Sequence, residues 1–140
     1  MTAATLRVGT LEITAALVAA ALLTIRPRPR VTGDVAAFVP LRVDVRIERP
    51  GRPPRTATVH VPAVIGRSRE CDVVIDDDDV SRRHAALEVE DGVVYLRDLR
   101  STNGTFLNGE RVRGGIEILP GDAIDLGGVR MYVVRIARSD

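Results

Sequence analysis

The sequence predicts an all-β fold, a sandwich or a barrel, behind an N-terminal helical segment. Three observations carry that prediction. From Leu41 onward, apolar residues come in short runs, the first of which alternate with polar ones, the period of a half-buried strand. Turn-forming clusters separate the runs: Glu90-Asp91-Gly92, Asn103-Gly104, Asn108-Gly109, Pro120-Gly121-Asp122 and Gly127-Gly128. No helical periodicity intervenes between them, which argues against a parallel α/β arrangement. The 140 residues suffice for one domain and a short appendage. Apolar residues at 45% and charged residues at 28% describe a globular chain, and with aromatics at 3% the core must be built from Val, Ile, Leu and Ala.

The first element, residues 1–25, is the expected helix. Ile13 to Ile25 consists of Ala, Leu, Val and Ile interrupted only by Thr14 and Thr24, with no Gly or Pro. Extending the run back to Val8 takes in Glu12, so residues 8–25 lie at the threshold of about 20 apolar residues that a spanning helix needs. Three readings stand. As a membrane anchor, the segment would be flanked by Arg26, Arg28 and Arg30, and would tether a cytoplasmic domain to the inner face of the membrane. As a packed helix, it would rest on the domain, on a partner or on a second copy. A secretory signal fits least, because the start carries little positive charge and no small-residue cleavage pattern follows. Residues 26–40 form an Arg/Pro-rich linker, extended because each proline removes a donor and restricts the residue before it.

Strands follow from residue 41 to 138. Val43, Val45 and Ile47 alternate with Asp44, Arg46 and Glu48; the cluster Pro50-Gly51-Arg52-Pro53-Pro54 then predicts a turn into a second strand, Thr56 to Val61. Shorter runs recur at Val64-Ile65, Val73 to Ile75, Ala85 to Val89, Val93 to Leu96, Phe106-Leu107, Ile116 to Leu119, Ala123 to Leu126 and Val129 to Ile136. Asn108-Gly109 is a hairpin turn by composition.

Charge and cysteine content exclude several functions. All 20 basic residues are arginine; residues 1–60 carry nine against four acids and residues 61–140 carry eleven against fifteen. No basic, aromatic-studded face appears, so nucleic acid is not an expected partner. Cys71 is the one cysteine, which excludes an internal disulfide and paired-cysteine metal sites. Its neighbours Glu70 and Asp72 would raise its thiol pKa, as befits an inert packed thiol. Ser81 and His84 do not make a catalytic pair, since no nucleophile elbow or third orienting group accompanies them. No catalytic residue, cofactor or metal is expected.

Four polar signatures lie between the strands: Gly66-Arg67; Ser81-Arg82-Arg83-His84; Ser101-Thr102-Asn103-Gly104-Thr105-Phe106; and Asn108-Gly109. Their order and spacing resemble the forkhead-associated (FHA) domain of bacterial type, over roughly Val43 to Ile136. The resemblance implies a two-sheet β-sandwich of about eleven short strands that binds phosphothreonine peptides through loops at one end. It implies that Arg67 is the main phosphate ligand, that Ser81 and Arg82 add phosphate contacts, that Thr102 contacts the phosphothreonine, and that Asn103 clamps the peptide backbone. Gly66, His84 and Gly104 would support the loops. The chemistry suits the task, because a phosphothreonine offers nearly two negative charges and three acceptor oxygens, and arginine presents a planar fork of donors. The implied partners are phosphothreonine-containing proteins and Ser/Thr kinases. A phosphate-independent interaction protein acting through the sandwich face and the N-terminal helix is the alternative, and Arg67→Ala separates the two. The run Asp76 to Asp79 either points away from the loops or favours a basic residue in the ligand.

Overall fold

The computed structural model describes residues 40–139. The expected helix over 1–25, and the linker up to residue 39, lie outside the described residues. Eleven strands form two sheets and no helix occurs among the described residues: β1 (Leu41–Arg49), β2 (Arg52–Val61), β3 (Ala63–Gly66), β4 (Val73–Val74), β5 (Ala85–Glu90), β6 (Val93–Asp98), β7 (Thr105–Leu107), β8 (Glu110–Arg111), β9 (Gly115–Glu117), β10 (Ala123–Leu126) and β11 (Val129–Arg138). One sheet has the order β2-β1-β11-β10-β7-β8 and the other β4-β3-β5-β6-β9.

The alternation along β1 translates directly into packing. Leu41, Val43, Val45 and Ile47 enter the core, while Arg42, Asp44, Arg46 and Glu48 line the opposite face. Ile65, Leu87, Leu96, Ile124, Leu126 and Met131 are fully enclosed between the sheets, each contributing about 1.5–3 kcal/mol by burial. The core is aliphatic, as a chain without tryptophan requires.

One sequence expectation is corrected. Pro53 and Pro54 do not belong to the turn: the turn is Pro50-Gly51, and both prolines lie inside β2. The sheet tolerates them because β2 is an edge strand and its register with β1 shifts between Ile47 and Arg49, where the ladder is already interrupted. The hairpin turn at Asn108-Gly109 is present, with φ of 49° and 86° at its two central residues.

Strand direction brings the polar signatures together. Ile65 of β3 pairs with Ala85 of β5, and Ala85 with Asp98 of β6, so the end of β3, the start of β5 and the end of β6 are level. Across the sandwich, Thr105 opens β7 opposite Leu126, the last residue of β10. The segments 67–72, 75–84, 99–104 and 127–128 therefore emerge at one end.

Candidate functional site at the loop end

The segment Ser81 to His84 is the spine of this end. On one side it zips onto the first loop: Arg67 N–H donates to Ser81 O at 3.0 Å, Ser68 N–H to Arg82 O at 3.1 Å, and His84 N–H to Ile65 O at 2.8 Å. Gly66 permits this approach, since a Cβ there would overlap the Arg82 carbonyl. On the other side Leu99 N–H donates to His84 O at 2.9 Å and Thr102 N–H to Ser81 Oγ at 3.0 Å. Three loops distant in sequence thus become one surface.

The polar side chains on that surface are partly committed and partly available. Arg67 uses Nε to donate to Val80 O at 3.2 Å, which orients the guanidinium and leaves both Nη groups for a ligand. Ser81 Oγ accepts from Thr102 N–H, so its own hydrogen can be donated outward. Asn103 donates one Nδ2 hydrogen to Asp79 O at 2.8 Å, which holds the amide while its oxygen and second hydrogen stay available. Arg82 and Thr102 are exposed, Thr102 being held here through its backbone. Gly104 is buried with φ of 84°, a conformation a side chain would disfavour.

His84 is fully buried and braces the spine against the third loop. Its Nδ1 accepts Ser81 N–H at 3.0 Å, which makes the imidazole the Nε2–H tautomer, and Nε2 donates to Gly104 O at 2.9 Å. Both ring nitrogens are occupied by backbone groups, so none is left to activate the Ser81 hydroxyl.

The sequence reading missed the support beneath the third loop. Asp98 accepts from Ser101 Oγ at 2.6 Å, Ser101 N–H at 3.1 Å and Thr105 Oγ1 at 2.7 Å. Burial pushes its carboxyl pKa up, but the hydrogen bonds from Ser101 and Thr105 prevail and hold it below the usual value. An Asp three residues ahead of a Ser at a strand end is the available signal, a side chain suited to cap a turn. Cys71 also lies under the loops, buried, with Sγ donating to Arg82 O at 3.1 Å. Burial pushes its thiol pKa up, and Asp72 and Glu70 add to that against the pull of Arg83.

The acidic run lies to one side. Asp77 Oδ1 accepts Asp79 N–H at 2.9 Å, Asp76 O accepts from Arg49 at 3.0 Å, and the Asp79 backbone abuts Gly127 in the β10–β11 turn. Ion pairs among the described residues engage Arg46, Arg97, Arg130 and Arg135, leaving Arg67, Arg82 and Arg83 without a carboxylate partner. No group of three or more His, Cys, Asp or Glu among the described residues is arranged to hold a metal ion.

A family profile described as "FHA domain" matches residues 63–127. The chain is 41% identical over 86 residues to the ABC transporter ATP-binding/permease protein Rv1747 of Mycobacterium tuberculosis, a stretch covering 61% of this chain and 10% of that protein. It is 36% identical over 75 residues to the glycogen accumulation regulator GarA of Mycolicibacterium smegmatis, covering 54% of this chain and 47% of that one. The chain thus spans about half or less of these curated relatives. Among solved structures, one from a structural and functional analysis of phosphothreonine-dependent FHA domain interactions superposes with a TM-score of 0.57 at 31% identity, covering 66% of this chain and 96% of that one. The FhaA FHA domain complexed with the intracellular domain of Rv3910 superposes at 0.55 and 30% identity, covering 66% and 99%.

Proposed function

This chain belongs to the forkhead-associated domain family of phosphothreonine-binding modules, and from that premise we propose that its loop end binds phosphothreonine peptides and so recruits proteins phosphorylated by Ser/Thr kinases. It is a binding module with no catalytic step. The observation that carries the reading is the convergence of Arg67, Ser81 and Arg82, donors from two loops, on a surface where none has a carboxylate partner among the described residues. A dianion needs such a place, where donors are oriented in advance and no competing negative charge is paired with them.

The roles divide by chemistry. Arg67 supplies a fork of two Nη groups to the phosphate, Ser81 donates its hydroxyl hydrogen, and Arg82 adds a second positive charge. Thr102 packs beside the phosphothreonine, and Asn103 reads the peptide backbone with the half of its amide that Asp79 leaves available. Selection of phosphothreonine over phosphoserine requires burial of one methyl, worth about 0.8 kcal/mol or roughly fourfold in affinity.

Fluorescence anisotropy with the full chain and matched phosphothreonine, phosphoserine and unphosphorylated peptides tests the reading. Binding that requires the phosphate, prefers threonine and vanishes in Arg67→Ala is expected. Equal binding of phosphorylated and unphosphorylated peptides, or an Arg67→Ala chain that binds as before, rejects it.

A further inference from the structure

We propose that the outer face of the second sheet, around Tyr95, is a docking site for a partner protein that presents arginine on an extended segment. The inference stands apart from the phosphothreonine reading, because it uses none of the loop residues.

Strand register builds the face. Leu87 and Leu96 are paired and point into the core, so by alternation the next pair, Glu88 and Tyr95, points outward. Tyr95 is paired on its other side with Glu117 of β9, which sets a carboxylate on each flank of the ring, with Cβ atoms about 5 Å away. Glu90 lies one outward step further along β5, and Pro62, just ahead of β3, adds an exposed apolar lip. Together with Val89 and Arg97 these residues line a trough of about 580 Å³. Ligand clefts have volumes of roughly 300–1,000 Å³.

The charge of this face is unbalanced. Among Glu88, Glu90 and Glu117, only Glu88 forms an ion pair among the described residues, with Arg97 Nε at 2.9 Å. Glu90 and Glu117 are exposed. A ring set between carboxylates suits a cation, which is attracted by the face of the ring and by the acids at once. Arginine fits better than lysine, since its planar guanidinium stacks on a ring while its edge bonds a carboxylate, and its stem covers apolar surface. The face already holds one guanidinium. Arg97, one row nearer the loops, reaches Glu88 and lies over Gly115, where a Cβ would stand 3.3 Å from Arg97 Nη2.

Pro62, Glu90, Arg97 and Gly115 are exposed, so the trough lies open along the β5–β6 hairpin and receives a length of chain rather than enclosing a small molecule. A basic segment complements its negative charge. Glu88 and Tyr95 stand three residues from Ala85 and Asp98, where the loop end begins. That is about 10 Å along the strands, so both surfaces can be occupied together.

The experiment titrates the full chain with the peptide Ala-Arg-Pro-Arg-Pro-Ala, whose prolines keep the arginines extended, and with lysine and neutral citrulline versions. Proton–nitrogen NMR spectra at low ionic strength locate the site and give the affinity. Shifts centred on Glu88, Tyr95 and Glu117 are expected, several-fold weaker with lysine and lost with citrulline. Affinity should fall about fivefold in Glu117→Gln and by a similar factor in Tyr95→Leu. Glu117 is exposed on an edge strand, so its variant keeps the fold, and spectra that superpose away from the face verify this for both. Peptide binding should persist in Arg67→Ala and in the presence of a phosphothreonine peptide. Equal affinity for arginine and lysine with no change in Tyr95→Leu reduces the effect to diffuse attraction and overturns the proposal, as do shifts centred on Asp76 to Asp79. Tighter binding once Arg26, Arg28 and Arg30 are replaced by Gln gives the face to this chain's own basic segment. Binding that appears only on dilution of a dimer gives it to a second copy. Either result overturns the partner protein.

Discussion

The imidazole of His84 and the carbonyl of Gly104 meet at 2.9 Å inside the protein, twenty residues apart in the chain. That contact ties the second loop to the third, and its other nitrogen holds Ser81 from beneath. Replacing His84 by Ala leaves one backbone donor and one acceptor buried and unpaired and opens a cavity. A loss of about 2–4 kcal/mol in unfolding free energy is expected by urea denaturation, together with weaker phosphopeptide binding. An unchanged midpoint would mean the brace does not hold the loops.

Gly66→Ala tests the approach of the first two loops. The added methyl would overlap the Arg82 carbonyl, which already receives Ser68 N–H and the Cys71 thiol. The backbone must shift, at a cost of about 1–3 kcal/mol, and the shift moves Arg67 relative to Ser81. Phosphopeptide affinity should fall in a protein that still folds. Affinity equal to the parent's would show that the loops tolerate the displacement.

Asp98→Asn addresses pH. The folded carboxyl titrates below its unfolded value of about 3.9, so the network stabilises the fold fully above that pH and loses its contribution as pH falls through the folded value. The parent should exceed the variant by about 2 kcal/mol at neutral pH. That gap should stay level down to about pH 5 and close below about pH 4, since Asn does not titrate and Asp becomes protonated. Melting curves of both proteins across this range measure it. A gap that persists undiminished in acid would remove the charge from the account.

Cys71 should behave as a protected thiol. Burial both raises its pKa and bars reagents, so a thiol-labelling dye at pH 8 should react about tenfold or more slowly with the folded chain than with the chain in urea. Comparable rates in the two states would contradict its packing against the Arg82 carbonyl.

Much of the architecture was legible because strand periodicity is local. Val43, Val45 and Ile47 announce their own burial by alternating with charges, and Asn108-Gly109 announces its turn by tolerating positive φ. Pro53 and Pro54 misled for the same reason: judged locally they read as turn residues, and only their place in an edge strand beside a register shift makes them acceptable within β2. The network under the third loop stayed hidden because the neighbours of Asp98 are ordinary in sequence, and its pKa depends on three donors that converge only when the turn closes.

The sequence alone determined the all-β class, the aliphatic core and the family resemblance, since all three rest on residue types at short, fixed spacings. Tertiary structure decided what those residues face. Asn103 is held by Asp79 and Ser81 is bridged to Thr102, through pairings between strands far apart in the chain. The reason is physical: a hydrogen bond between loops is made by the register of the sheets beneath them, and register is a property of the whole sandwich rather than of any one segment.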